Sequence, residues 1–129
     1  MKKFEVIEFP YFSDERGETI PFELGEDFPF AVKRAYIVTA HDNKMRGGHA
    51  HTSEEELFVA VSGNVTALVN DGSGDQEIIL DAKNKGLLVR NDCWHEFTDF
   101  SKEAVLLAFS STHYNGREGY VEEKGSITN

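Results

Sequence analysis

The chain has little cysteine, proline or tryptophan: one Cys, three Pro and one Trp in 129 residues. A lone thiol, Cys93, cannot close an internal disulfide or build a thiolate cluster, so nothing points to an oxidising compartment, and Cys93 reads as a small core residue. No apolar run reaches the ~18 residues that a bilayer span needs, and the opening Met-Lys-Lys-Phe-Glu carries no signal-peptide core. The expected location is cytoplasmic. Basic residues are also scarce, with Lys+Arg 13 against Asp+Glu 23 and a formal net charge of -10. That balance argues against a nucleic-acid surface that tracks phosphates and against an anionic membrane as partner. A phosphate-bearing ligand would need a local basic pocket.

Sustained helical periodicity is missing as well; what is present is a series of short strand-like runs separated by turn signals. The runs are 3–9, 34–40, 56–61, 65–70, 77–80, 86–90, 95–98 and 104–110, most of them rich in Val, Ile, Leu and Phe. "VSGNV" (61–65) and "NDGSGD" (70–75) read as hairpin turns around which consecutive strands pair antiparallel, and "AKNKG" (82–86) as a third turn. Eight or more such strands pack as a sandwich or close into a barrel. The expectation is an all-β, single-domain, jelly-roll β-barrel of antiparallel strands over residues 1–129. Residues 122–129, "EEKGSITN", form a tail without an apolar pattern, ordered by a partner or not at all.

The chemistry concentrates in "RGGHAH", 46–51. Gly47 and Gly48 permit unusual dihedrals and leave room beside the histidines. In an extended segment His49 and His51 point to one face, about 7 Å apart along the strand. Two imidazoles in one cavity beside Arg46 can hold a metal or move protons. Glu56 follows His51 after four residues and Gly63 after six more, and His95 closes "GLLVRNDCWHEF", 86–97. Neutral imidazoles with a carboxylate suit a divalent transition metal; the competing reading of Glu56 is a solvated carboxylate in the acidic run 54–56.

The H-x-H-x4-E-x6-G pattern resembles the first motif of the cupin superfamily, with Asn43 in place of its leading glycine and Asn91, Asp92 and Cys93 in place of the proline-glycine turn of the second motif. Together with "FSDERGE" (12–18), "FPFAVKRAYIV", "MRGGHAHTSEEELFVAVSG", "KGLLVRNDCWHEFTDFS" and "VLLAFSS", it is similar over residues 3–121 to the dTDP-4-keto-6-deoxyglucose 3,4-ketoisomerases. The resemblance implies a homodimeric cupin with exchanged N-terminal strands, acting without metal or other cofactor on a dTDP-linked keto-deoxysugar in deoxyamino-sugar biosynthesis. It would move the keto group from C4 to C3 through an enediol(ate), with histidine as acid and base. By the same resemblance His49 and His51 are the catalytic histidines, with His49 the primary base, and Tyr36 joins them as a catalytic pocket residue. Ile37 stands where a second tyrosine is common. Arg46 neutralises pyrophosphate or polarises the keto oxygen.

Gly48 belongs to the substrate gap. Arg16 lies near the nucleotide or pairs with Asp14 or Glu15 in a turn. Trp94 closes the pocket or packs in the core, and His95 is functional or structural. Metal-free members usually carry Gln or another non-ligand at the position of Glu56, so a metal, if present, would take His49, His51, Glu56 and His95. The ending "EGYV", 118–121, matches the family only loosely. Two alternatives remain. A dTDP-sugar 3,5-epimerase shares F-x-D-x-R-G and R-G-x-H but normally has a glutamine at the second histidine and a longer chain. The other alternative is a metal-dependent cupin oxygenase or a non-catalytic sugar-binding cupin.

Overall fold

The computed structural model describes residues 2–126. Twelve strands form two five-stranded antiparallel sheets and a small hairpin. One sheet orders β1 (Phe4–Glu8), β9 (Lys85–Val89), β6 (Glu56–Ser62), β11 (Val105–Ser110) and β4 (Arg34–Val38). The other orders β12 (Tyr120–Val121), β5 (Arg46–His51), β10 (Trp94–Thr98), β7 (Val65–Asn70) and β8 (Asp75–Leu80). The hairpin pairs β2 (Phe12–Asp14) with β3 (Gly17–Thr19). The two large sheets face each other as a jelly roll, so the all-β expectation holds.

Period-two alternation explains the core between them. In β7, Val65, Ala67 and Val69 are buried while Thr66, Leu68 and Asn70 are partly open, and the buried set meets Phe58, Leu87, Val89, Phe97 and Leu106 from the other strands. β6 is instead buried on both faces. Phe58 and Ala60 enter the central core, whereas Leu57 and Val59 lie under an aromatic cover that includes Phe9, Phe22 and Phe28. Phe9 meets Phe22 edge-on at 5.0 Å, and Phe28 meets Phe109 at 5.4 Å. A strand covered twice reads as a continuous apolar run, which is how "ELFVAV" appears.

The turn expectations divide. "NDGSGD" joins β7 to β8 as a hairpin, with Asn70 opposite Asp75 and the Asn70 amide donating to the Asp75 carboxylate at 2.7 Å. "VSGNV" does not: β6 and β7 lie in opposite sheets, so this turn carries the chain across the sandwich. It docks on the 100–104 loop, where the Asn64 N–H donates to the Ser101 hydroxyl and the Ser101 N–H to the Asn64 carbonyl, both at 2.9 Å. Gly63, at φ +66°, sits so close to Ser101 and Ala104 that no side chain fits. "AKNKG" likewise crosses between sheets, from β8 to β9. In the expected tail, Lys124–Ser126 form a single 3₁₀ turn and the Lys124 ammonium reaches Asp75 at 3.1 Å, while 127–129 lie outside the described residues.

Candidate active site

The sandwich opens at one end into a cavity of about 350 Å³ lined by residues that include Arg34, Tyr36, Arg46, His49, His95 and Tyr120. Its floor comes from β5 and β10, where His49 is registered opposite His95. The register then slips by one residue, so that Gly47 opposes Glu96 and Arg46 opposes Phe97. Gly48 is the extra residue of a β-bulge, and the two glycines take φ +75° and +81°. The slip has a chemical consequence. By strict alternation Arg46 would point away from His49 and His51; opposite Phe97, which faces the core, it turns to the cavity side instead. Gly47 lines the cavity, and Gly48 supplies the bulge rather than the wall. The Arg46 guanidinium also donates to the Thr39 carbonyl.

His49, His51 and His95 form one cluster. The His49 ring lies 4.7 Å from His51 and 4.9 Å from His95 between centroids. The three differ in how they are held. His51 Nδ1 lies 3.2 Å from Glu54 Oε1 and His51 Nε2 lies 3.0 Å from Glu56 Oε1. His95 Nδ1 is 3.2 Å from the Cys93 carbonyl, and its Nε2 is 3.6 Å from Glu56 Oε1. His49 Nδ1 is buried without a hydrogen bond, and His51 Nε2 and Glu56 Oε1, though close, are out of line for one. Of the two readings of Glu56, the solvated carboxylate fails, since Glu54 and Glu56 are both buried. Glu54 bridges His51 to Arg34, whose Nη2 lies 2.8 Å from Glu54 Oε2, and Ser110 donates to the same oxygen.

Tyr36 projects inward from β4 and donates to Glu56 Oε2. Burial, followed by the Glu56 carboxylate, pushes its phenol far above the usual range, so it stays protonated. Burial also lowers His49 to about 3, with the neighbouring His95 and His51 adding to the effect, and His49 is therefore neutral at neutral pH. Burial alone would raise the Glu56 carboxyl, but the imidazoles of His51 and His95 outweigh it and hold Glu56 below the ordinary carboxylate range.

Several residues enter unannounced from the C-terminal segment. Tyr120 in β12 is registered opposite His51, so it shares the inward face; its ring lies 4.5 Å from His49 and 4.4 Å from His51. Arg117 stacks over Tyr120 at 4.8 Å and pairs with Glu122. Only the loose "EGYV" signal pointed to this strand. Arg34 and Glu54 had no signal beyond their sequence neighbours.

Two expected residues lie elsewhere. Trp94 alternates with His95, so it sits on the other face of β10, donating to Glu96 Oε1 at 3.0 Å, and does not close the cavity. Arg16 caps the β2–β3 hairpin, 84% exposed and paired with Asp14, and lines a separate shallow groove with Phe12 and Glu18 rather than the histidine cavity.

Comparison with known proteins fits this architecture. A TDP-4-oxo-6-deoxy-alpha-D-glucose-3,4-oxoisomerase from Aneurinibacillus thermoaerophilus is 36% identical over 112 residues, 86% of this chain and 81% of that protein. A 3,4-ketoisomerase from Helicobacter canadensis superposes with TM-score 0.89 at 30% identity, over 98% of this chain and 96% of that one. QdtA, a sugar 3,4-ketoisomerase from Thermoanaerobacterium thermosaccharolyticum solved in complex with TDP, gives TM-score 0.88 at 28% identity, over 94% and 88% of the two chains. Residues 2–127 match the family described as FdtA: WxcM-like, C-terminal, and the chain belongs to that family.

Proposed function

We propose that the protein is a sugar-nucleotide 3,4-ketoisomerase acting on dTDP-4-keto-6-deoxyglucose. The observation that carries this reading is the neutral His49 imidazole in a cavity that also presents Arg34, Arg46 and Arg117; the names of the relatives supply the substrate. Moving the carbonyl requires removal of the C3 proton, an enediol(ate) across C3 and C4, and delivery of a proton to C4, while the O3 hydroxyl proton leaves and O4 gains one. His49 takes the C3 proton, because burial keeps its ring neutral at neutral pH and the ring lines the cavity. Tyr36 stays protonated and, on turning its single O–H from Glu56 to the substrate, becomes the hydroxyl donor for the enediolate oxygen. His51 shares the proton traffic, its ring fixed between Glu54 and Glu56.

The guanidiniums face the substrate's charge: Arg46, turned inward by the bulge, meets pyrophosphate or the keto oxygen. His95 forms the floor beneath the sugar. Arg16 approaches nucleotide only from a hairpin outside this cavity, which a neighbouring subunit could present. The reading includes a cytoplasmic homodimer, for which the support is apolar exposure: Ile37 is 68% exposed on the edge strand β4 and Phe12 61% exposed on the hairpin. No helix among the described residues is long and apolar enough to cross a membrane.

The test is product analysis in deuterated water. With dTDP-4-keto-6-deoxyglucose and a chelator present, the expected product is the 3-keto isomer with deuterium at C4. Deuterium at C3 and C5 without carbonyl migration would identify an epimerase instead. His49→Asn should lower turnover by about 10²–10⁴-fold; full turnover would remove His49 as base. Sedimentation at the assay concentration should give twice the 14.5 kDa chain mass, and a monomer would remove the dimer.

A further inference from the structure

The cavity wall changes character along β4. Its inward residues are Arg34, Tyr36 and Val38, each two positions on from the last and so about 7 Å apart along the strand. A guanidinium, a phenol and an apolar branch thus follow one another on one face. Phe58, from β6 in the same sheet, and Phe97, from β10 in the facing one, line the same cavity with their ring centroids 4.7 Å apart. Val38 packs against the core cluster to which both rings belong. In a cavity otherwise lined by guanidiniums, imidazoles and phenols, these three side chains make an apolar corner.

The corner adjoins the reacting groups. The His95 ring lies between it and the proposed base, with its centroid 4.9 Å from His49, 5.5 Å from Phe58 and 6.1 Å from Phe97. The polar groups nearest the corner already have partners. His95 Nδ1 lies 3.2 Å from the Cys93 carbonyl and its Nε2 3.6 Å from Glu56 Oε1, while the Arg46 guanidinium donates to the Thr39 carbonyl. A methyl group placed there gains by leaving water, whereas a hydroxyl gives up its water for no partner.

The proposed substrate carries one such methyl on its sugar, C6, two bonds from C4. With C3 at His49 and the C4 oxygen at Tyr36, C6 falls toward Val38, the next inward residue of β4, and C1, across the ring from C4, points back toward Arg34. We infer that Val38, Phe58 and Phe97 seat the C6 methyl and select 6-deoxy over 6-hydroxy hexoses. The orientation of the sugar rests on the proposed function; the apolar corner does not.

The test uses the full chain and two ligands without a keto group, dTDP-6-deoxyglucose and dTDP-glucose, which cannot isomerise and differ only by the C6 hydroxyl. Calorimetric titration should show the 6-deoxy sugar binding about 10–100-fold more tightly. Val38→Thr keeps the shape of the side chain and offers O6 a hydroxyl, so it should cut that ratio about tenfold. Val38→Ala, which leaves a gap where the methyl rests, should weaken the 6-deoxy sugar about tenfold and dTDP-glucose less. Both variants are checked by circular dichroism, and having two keeps a folding failure in one from deciding the matter. Equal affinities in the parent, or a ratio that neither variant changes, would overturn the seat; if the keto substrate is still isomerised, the proposed function stands without it. A protein that binds neither ligand and isomerises nothing would overturn the proposed function and the seat together.

Discussion

Glu54 shows how a residue outside the histidine pair governs it. One carboxylate serves Arg34 through Oε2 and His51 through Oε1, both from a buried position. Glu54→Gln keeps the shape but offers one carbonyl oxygen to two donors, so either the guanidinium or the imidazole faces an N–H group. An unsatisfied buried donor of this kind costs about 1–3 kcal/mol. The expected outcome is a loss of that size in urea unfolding, with a fall in kcat and a changed pH profile because His51 no longer has a fixed tautomer. An unchanged kcat and pH profile in a destabilised protein would reduce Glu54 to a structural role. None of this was visible in the run "SEEE", since three consecutive acidic residues look alike until the chain is folded. The H-x-H pair was visible because its spacing and the strand period coincide.

At the level of elements, the β5 bulge joins backbone geometry to function. Gly48 takes φ +81°, and a Cβ there would meet only the flexible end of Met45, with the sulphur at 3.2 Å. The penalty of Gly48→Ala is therefore conformational, about 1–2 kcal/mol for a left-handed L-residue, and it favours ironing out the bulge. Relaxation to a regular ladder would turn Arg46 away from the cavity. The expected result is a lower thermal midpoint together with a KM for the nucleotide sugar raised more than kcat is lowered; a midpoint loss with KM unchanged would show that Arg46 does not depend on the bulge. The glycines announced unusual dihedrals in the sequence, but not that the register would shift between His95 and Glu96. Turn chemistry was similarly half legible. The "SGN" of residues 62–64 correctly marks a reversal, yet which sheet the next strand joins is decided by docking against Ser101 and Ala104, contacts some forty residues away.

Across the whole molecule, strand existence and the all-β class followed from local pattern, because alternating burial between two facing sheets imprints itself on each strand separately. The arrival of β12 beside β5, with Tyr120 over the histidines, is a long-range pairing of only two residues and leaves almost no imprint. Its effect is to close a buried polar cluster whose protonation is linked to folding. His49 titrates near 3 in the fold against an ordinary value of 6.5, so between those values the unfolded chain binds the extra proton. Stability conferred by this group is whole above about 6.5 and is lost as pH falls toward 3. Glu56, depressed below 4.5, acts with the same sign in the lower part of that range. The protein should therefore unfold at lower urea concentration at pH 4.5 than at pH 7.5. Replacing His49 by Asn, which cannot titrate, should flatten the upper part of the profile, between 6.5 and 4.5, where carboxyl groups contribute least. An identical acid slope in the variant would show that the burial of His49 is not what ties folding to pH.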